Sequence, residues 1–96
     1  MTPLSFQISV ETDDTTGDVV AVYFQVRKGK SHLTQEYADG AAFADYNRNG
    51  ELIGIEILAP CRVSIVDQLA ANEPPEVRKR TKAFLRGSGP RQMIAA

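Results

Sequence analysis

Residues 45–56 read DYNRNGELIGIE, and two folds compete for them. The stretch satisfies the calcium-loop pattern D-x-[DN]-x-[DN]-G-x5-E without a mismatch. Asp45, Asn47 and Asn49 would supply the first ligands, Gly50 the sharp turn and Glu56 the bidentate ligand, with aliphatic Leu52 in its usual place. An EF-hand loop is framed by two helices, however, and here both flanks alternate. Ile53, Ile55 and Ile57 fall on one face, and Leu52, Gly54, Glu56 and Leu58 on the other, a period of two rather than 3.6. Only Asp45 and Glu56 carry side-chain charge, which is poor chemistry for a hard cation. The period predicts a β-hairpin whose turn is NRNG. Asn49 and Gly50 accept the backbone angles of such a turn, and Asn47 is expected to be dispensable. Asp45 and Glu56 then lie on neighbouring strands, and neither metal nor cofactor is expected.

The same period runs upstream. LSFQISV (4–10) alternates with Leu4, Phe6, Ile8 and Val10 on one side. VVAVYFQVR (19–27) is β-branched and aromatic, with Val20, Val22, Phe24 and Val26 sharing a face. HLTQEYA is a weaker strand, and Asp39-Gly40 a turn before AAFADY. After Pro60 the pattern changes. SIVDQLAAN places Ser64 three residues before Asp67, close to a capping box, with Ile65, Val66 and Leu69 as an apolar stripe. NEPPEVRKRTKAFLRG predicts a second helix: Pro74 and Pro75 suit its first turn, Gly87 its end, and Val77, Thr81, Phe84 and Leu85 its buried face. Strands first and helices after give an α+β fold within one domain over 1–96. An antiparallel meander of four to five strands (about 4–58) carries a helical extension (about 63–86) on one sheet face, then a short tail, 87–96.

The segment DGAAFADYNRNGELIGIEIL (39–58) resembles the domain of unknown function 2283 family, small and mainly prokaryotic proteins. The matching positions are Asp39, Gly40, Asp45, Tyr46, Gly50, Gly54, Ile55, Glu56, Ile57 and Leu58, with a looser match over about 13–26. The resemblance implies a compact β-rich fold and no established activity. NRN stands where that family's turn is more acidic, and the helical extension carries no implied role.

Composition narrows the chemistry. One cysteine and one histidine exclude an intrachain disulfide, a cysteine-rich zinc site and a multi-histidine metal site. Cys61 and His32 form the sole candidate nucleophile and base, but no third group orients them; Cys61 reads as a small packed side chain. Asp45 and Glu56 are the carboxylate pair that a small enzyme would use. Glu56 reads instead as a solvent-facing acid, and Gly54 inside a strand marks a bulge or a close backbone approach. DDTTGD (13–18) is a solvated turn, and GSGP lacks the lysine and the preceding strand of a phosphate loop. No apolar run is long enough to span a membrane, and the alternating N-terminus is unlike a signal peptide, so the cytosol is the expected compartment.

Net charge is −1, with a split beneath it. All 12 acidic residues lie in 1–76 beside five of the 11 basic ones, a net of −7; residues 77–96 hold six cations and no acid. Arg78, Lys79, Lys82 and Arg86 form the candidate partner-binding face of the second helix. Nucleic acid is a possible partner but not the favoured one, because no aromatic platform accompanies the cations. The leading expectation is a non-catalytic module that forms a homodimer through its sheet, where Val19, Ala21, Tyr23, Leu52 and Leu58 make the second face apolar. The alternative is an antitoxin-like regulatory protein whose basic helix meets nucleic acid or an acidic partner.

Overall fold

The computed structural model describes residues 2–90 and, as backbone, Met93–Ile94. The alternating segments form strands β1 (Gln7–Thr12), β2 (Val19–Gln25), β3 (Leu33–Tyr37), β4 (Ala42–Tyr46) and β5 (Leu52–Leu58). All pair antiparallel, in the order β1-β2-β5-β4-β3. The meander runs through β3, β4 and β5, and β5 then pairs with β2. The first strand starts three residues later than its alternation suggests, at Gln7 rather than Leu4.

The link from β2 to β3 explains this order. It must cross three strand spacings, about 14 Å, which seven residues cover easily. Residues 26–32 pass the end of β5, where Val26 N (2.7 Å) and Arg27 N (3.2 Å) both donate to Ile53 O. Gly29, at φ 143°, passes close to the Ile53 side chain, and His32 N reaches Tyr46 O (2.8 Å) to start β3.

Ile53 is also the extra residue of a β-bulge. Asp45 faces Gly54 and Tyr46 faces Leu52, so Ile53 has no partner on β4. The bulge corrects the expected alternation. Leu52 turns to the core side with Ile55 and Ile57 and is buried there, while Ile53 leaves that set.

The helices cover the face carrying Val22, Phe24, Val26, Ala42, Ala44, Ile55 and Ile57, all buried. A two-residue strand β6 (Cys61–Arg62) leads to α1 (Ile65–Leu69) and α2 (Pro75–Ser88). Val66 and Leu69 of α1 and Val77, Thr81 and Leu85 of α2 point into the core, and Phe84 meets Phe24 edge to face with centroids 5.8 Å apart. Two sequence expectations fail here. The Ser64–Asp67 capping box does not form, because Ser64 is itself helical and its side chain caps nothing; Asp67 instead holds Lys82 of α2. Helix α2 runs through Gly87 and ends at Gly89, where an added Cβ would meet the Leu85 carbonyl. The backbone of β7 (Met93–Ile94) pairs in parallel with β6, so part of the tail docks. Arg91, one of the six cations, lies outside the described residues.

Candidate functional site

The hairpin divides the candidate calcium ligands between its turn, which holds Asn47 and Asn49, and its two strands, which hold Asp45 and Glu56. Asn47 organises the turn: its Oδ1 accepts from Asn49 N (3.0 Å) and Glu51 N (2.9 Å), and Gly50 N donates to Asn47 O (3.0 Å). Gly50 takes φ 80°. The residue that holds the turn is therefore Asn47, expected to be dispensable, while Asn49 contributes one backbone N–H. With its oxygen committed inside the turn, Asn47 is poorly placed to ligate an ion.

Asp45 and Glu56 do share the outer face of the sheet, away from the helices, as diagonal neighbours across β4 and β5. Asp45 is occupied: Tyr23 OH donates to its Oδ2 (3.0 Å) and Thr34 Oγ1 to its Oδ1 (2.6 Å). The Tyr23 ring reaches Asp45 by lying across Gly54, where any Cβ would overlap the ring and its hydroxyl. That is the close approach a glycine inside a strand signals. Burial, then the bond to Asp45 and the charges of Asp45 and Glu56, push the Tyr23 hydroxyl well above the usual phenol range. Tyr23 is thus a hydrogen-bond donor locked onto a carboxylate. Glu56 lies between Tyr23 and Phe43 in the next row. Glu11 and Glu36 project from the same face, which is therefore acidic and aromatic rather than aliphatic.

Cys61 and His32 do not meet. His32 is exposed next to Tyr46, at one end of the sheet, and Cys61 is buried past Leu58, at the other. Burial pushes the Cys61 thiol up, against thiolate formation. In the acidic loop, Asp13 Oδ1 accepts from Thr15 N (2.8 Å) and Thr16 N (2.9 Å), and these bonds hold its carboxyl below the usual range.

Helix α2 gathers Arg78, Lys79, Lys82 and Arg86 into one shallow groove of about 300 Å³, bordered by Pro75 and Asp67. Lys82 Nζ lies 2.6 and 2.7 Å from the two Asp67 oxygens, and Arg78 Nη1 donates weakly to Ala70 O (3.4 Å). Arg80 points the other way. It stacks over the Phe6 ring at 5.5 Å and pairs with Glu76 (2.7 Å).

Arg27 is a feature that sequence reasoning missed. It is 3 % exposed. Its Nη1 donates to Leu52 O and its Nε to Thr2 O, both at 3.0 Å. Glu73 Oε1 lies 2.8 Å from Nη1, an ion pair lacking the alignment of a hydrogen bond, and Glu51 Oε2 is 3.8 Å from Nε. One guanidinium thus ties the N-terminal segment, the β2–β3 link, the hairpin and the α1–α2 loop. The available signal was an arginine closing the apolar strand VVAVYFQVR. Compared with family models, curated proteins and solved structures, the chain matches none.

Proposed function

We propose that this protein is a small, non-catalytic interaction module that associates with a second copy of itself through its sheet. One observation carries the reading. Among the described residues, the large apolar side chains left exposed are Leu4, Ile8, Val10, Val20 and Leu33, and all lie on strands or in the segment leading into β1. The helices bury their apolar stripes and present charge. These residues share the parity of the core positions, so they form apolar margins on the helix side that the helices leave uncovered, and a second copy joined at a sheet edge would take them. Asp45, whose two oxygens already accept hydrogen bonds, supports a structural rather than an acid–base role for the carboxylate pair. The resemblance to the domain of unknown function 2283 family, carried by 39–58 with a looser match over about 13–26, belongs to this proposal and adds no activity to it. Sedimentation equilibrium at micromolar concentration tests the reading. A mass near twice 10.5 kDa is expected, and a monomer would sink it.

A second reading rests on the α2 groove. Arg78, Lys82 and Arg86 stand at i, i+4 and i+8, with Lys79 beside them, and no acid contacts Lys79 or Arg86 among the described residues. This stripe suits an anionic partner, nucleic acid or acidic protein, as an antitoxin-like regulator would require. Asp67 already offsets one of its charges, which places it second.

A further inference from the structure

We infer that the second copy docks along the outer edge of β1, antiparallel, about a two-fold axis through Ser9, so that two five-stranded sheets become one continuous sheet. This rests on the self-association proposed above and specifies where and in what register it occurs.

The edge itself is the first argument. Among the described residues β1 pairs with β2 alone, and all six of its residues are exposed. Its outer side is therefore a row of backbone donors and acceptors without a strand to meet. Proteins guard such edges with lysine, proline or very short strands. QISVET contains neither residue and a single charge, Glu11. The opposite edge, β3, is shorter and exposes one large aliphatic side chain, Leu33; β1 exposes two, Ile8 at 40 % and Val10 at 49 %, with exposed Val20 next to them on β2.

The register follows from geometry. Residues directly opposite in an antiparallel pair share a sheet face. A two-fold between identical strands must therefore pass through a residue, not between two. Through Ser9, Ile8 faces the partner's Val10 and Val10 faces the partner's Ile8, on the helix side of the sheet. Gln7 then faces the partner's Glu11, an amide donor against a carboxylate. Through Val10, Ile8 faces the partner's Thr12 and one aliphatic pair remains; through Ile8, Val10 faces the partner's Phe6, whose ring Arg80 already covers, and Glu11 faces the partner's Ser5 rather than an amide.

Charge supplies an independent argument. In the Ser9 register Phe6 faces the partner's Thr12, so the partner's Asp13 and Asp14 continue alongside Ser5 and Leu4. Arg80 already stands over the Phe6 ring, on the β1 side of α2. The acidic β1–β2 loop of each copy thus runs past Phe6 of the other, where Arg80, which also pairs with Glu76, adds a cation, and the symmetry makes the approach twice.

The experiment combines sedimentation with thiol cross-linking on the full chain. Wild type is expected to be a dimer that weakens as salt rises. Val10→Lys, at an exposed position, should give a monomer with an unchanged circular dichroism spectrum. Ser9→Cys should form an intermolecular disulfide between the introduced thiols under mild oxidation, identified by mass spectrometry. Antiparallel neighbours, about 4.5–5.5 Å apart at Cα, suit that bond. A dimer that survives Val10→Lys but falls apart with Leu33→Lys would assign the other edge and overturn this inference while leaving self-association standing. Linkage through Val10→Cys with none through Ser9→Cys would overturn the register. A monomeric wild type would remove both this inference and the proposal beneath it.

Discussion

A side chain at position 54 would stand where the Tyr23 ring lies. Gly54 faces Gln25 on β2 and Asp45 on β4, and its missing Cβ lets Tyr23 cross β5 diagonally to reach Asp45. Gly54→Ala should therefore destabilise the protein by about 2 kcal/mol, combining overpacking with loss of the Tyr23–Asp45 bond. Tyr23→Phe should cost about 1 kcal/mol, since Asp45 keeps Thr34 as a donor. The decisive measurement is urea unfolding of the double variant. In a Tyr23→Ala background Gly54→Ala should cost far less than in wild type, because the atoms it strikes are gone. Additive costs would mean that the glycine serves some other purpose.

The hairpin shows an element built by a residue other than the one its sequence advertises. Gly50→Val should cost more than about 1 kcal/mol, because a β-branched residue is forced to positive φ. Asn47→Ala should cost a comparable amount, since two backbone N–H groups lose their acceptor. Glu51 extends the argument to pH. Its carboxyl is held below the usual range by the Asn47 amide first, then by the Thr2 N–H and hydroxyl, with Arg27 adding attraction. A lowered folded-state pKa gives stability that is complete above the ordinary carboxylate pKa and fades as pH falls through the folded value. Glu51→Gln should accordingly weaken the protein at neutral pH, and the deficit should shrink in acid. A deficit independent of pH would assign it to geometry alone. Strand positions, both helices and the turn at 47–50 were legible because periodicity and glycine report local backbone needs. The β2–β5 pairing was not, because it depends on where a seven-residue link lands. The bulge at Ile53 was not either, since one unpaired residue leaves the alternation of LIGIEIL intact on paper while turning Leu52 into the core. Arg27 stayed hidden because its partners, Thr2, Glu51, Leu52 and Glu73, come from distant parts of the chain.

At the scale of the whole molecule, charge is sorted by layer. The outer sheet face carries Glu11, Glu36, Asp45 and Glu56, and the flank of α2 beside α1 carries the Arg78, Lys79, Lys82 and Arg86 groove, with the apolar core between sheet and helices. The sequence displayed the split as two charged stretches, and the fold turns it into two separate surfaces. If the groove merely faces solvent, replacing Arg78, Lys79 and Lys82 with glutamine should leave the fold intact. The stability change should stay within about 1 kcal/mol, the scale of an exposed pair such as Lys82–Asp67. The oligomeric state should not change either, because β1 lies on the other side of α2, where Arg80 rather than this groove meets the sheet edge. If the groove binds nucleic acid, wild type should shift a duplex or single-strand probe at low salt. Affinity should then fall linearly in log–log form as salt rises, and the triple variant should flatten that slope by about one unit for each phosphate that its glutamines leave unneutralised. The expected result is no shift in wild type, with triple variant and wild type alike in sedimentation. A salt-steep micromolar shift abolished by the triple variant would place the anion-binding groove ahead of the sheet edge as the working surface.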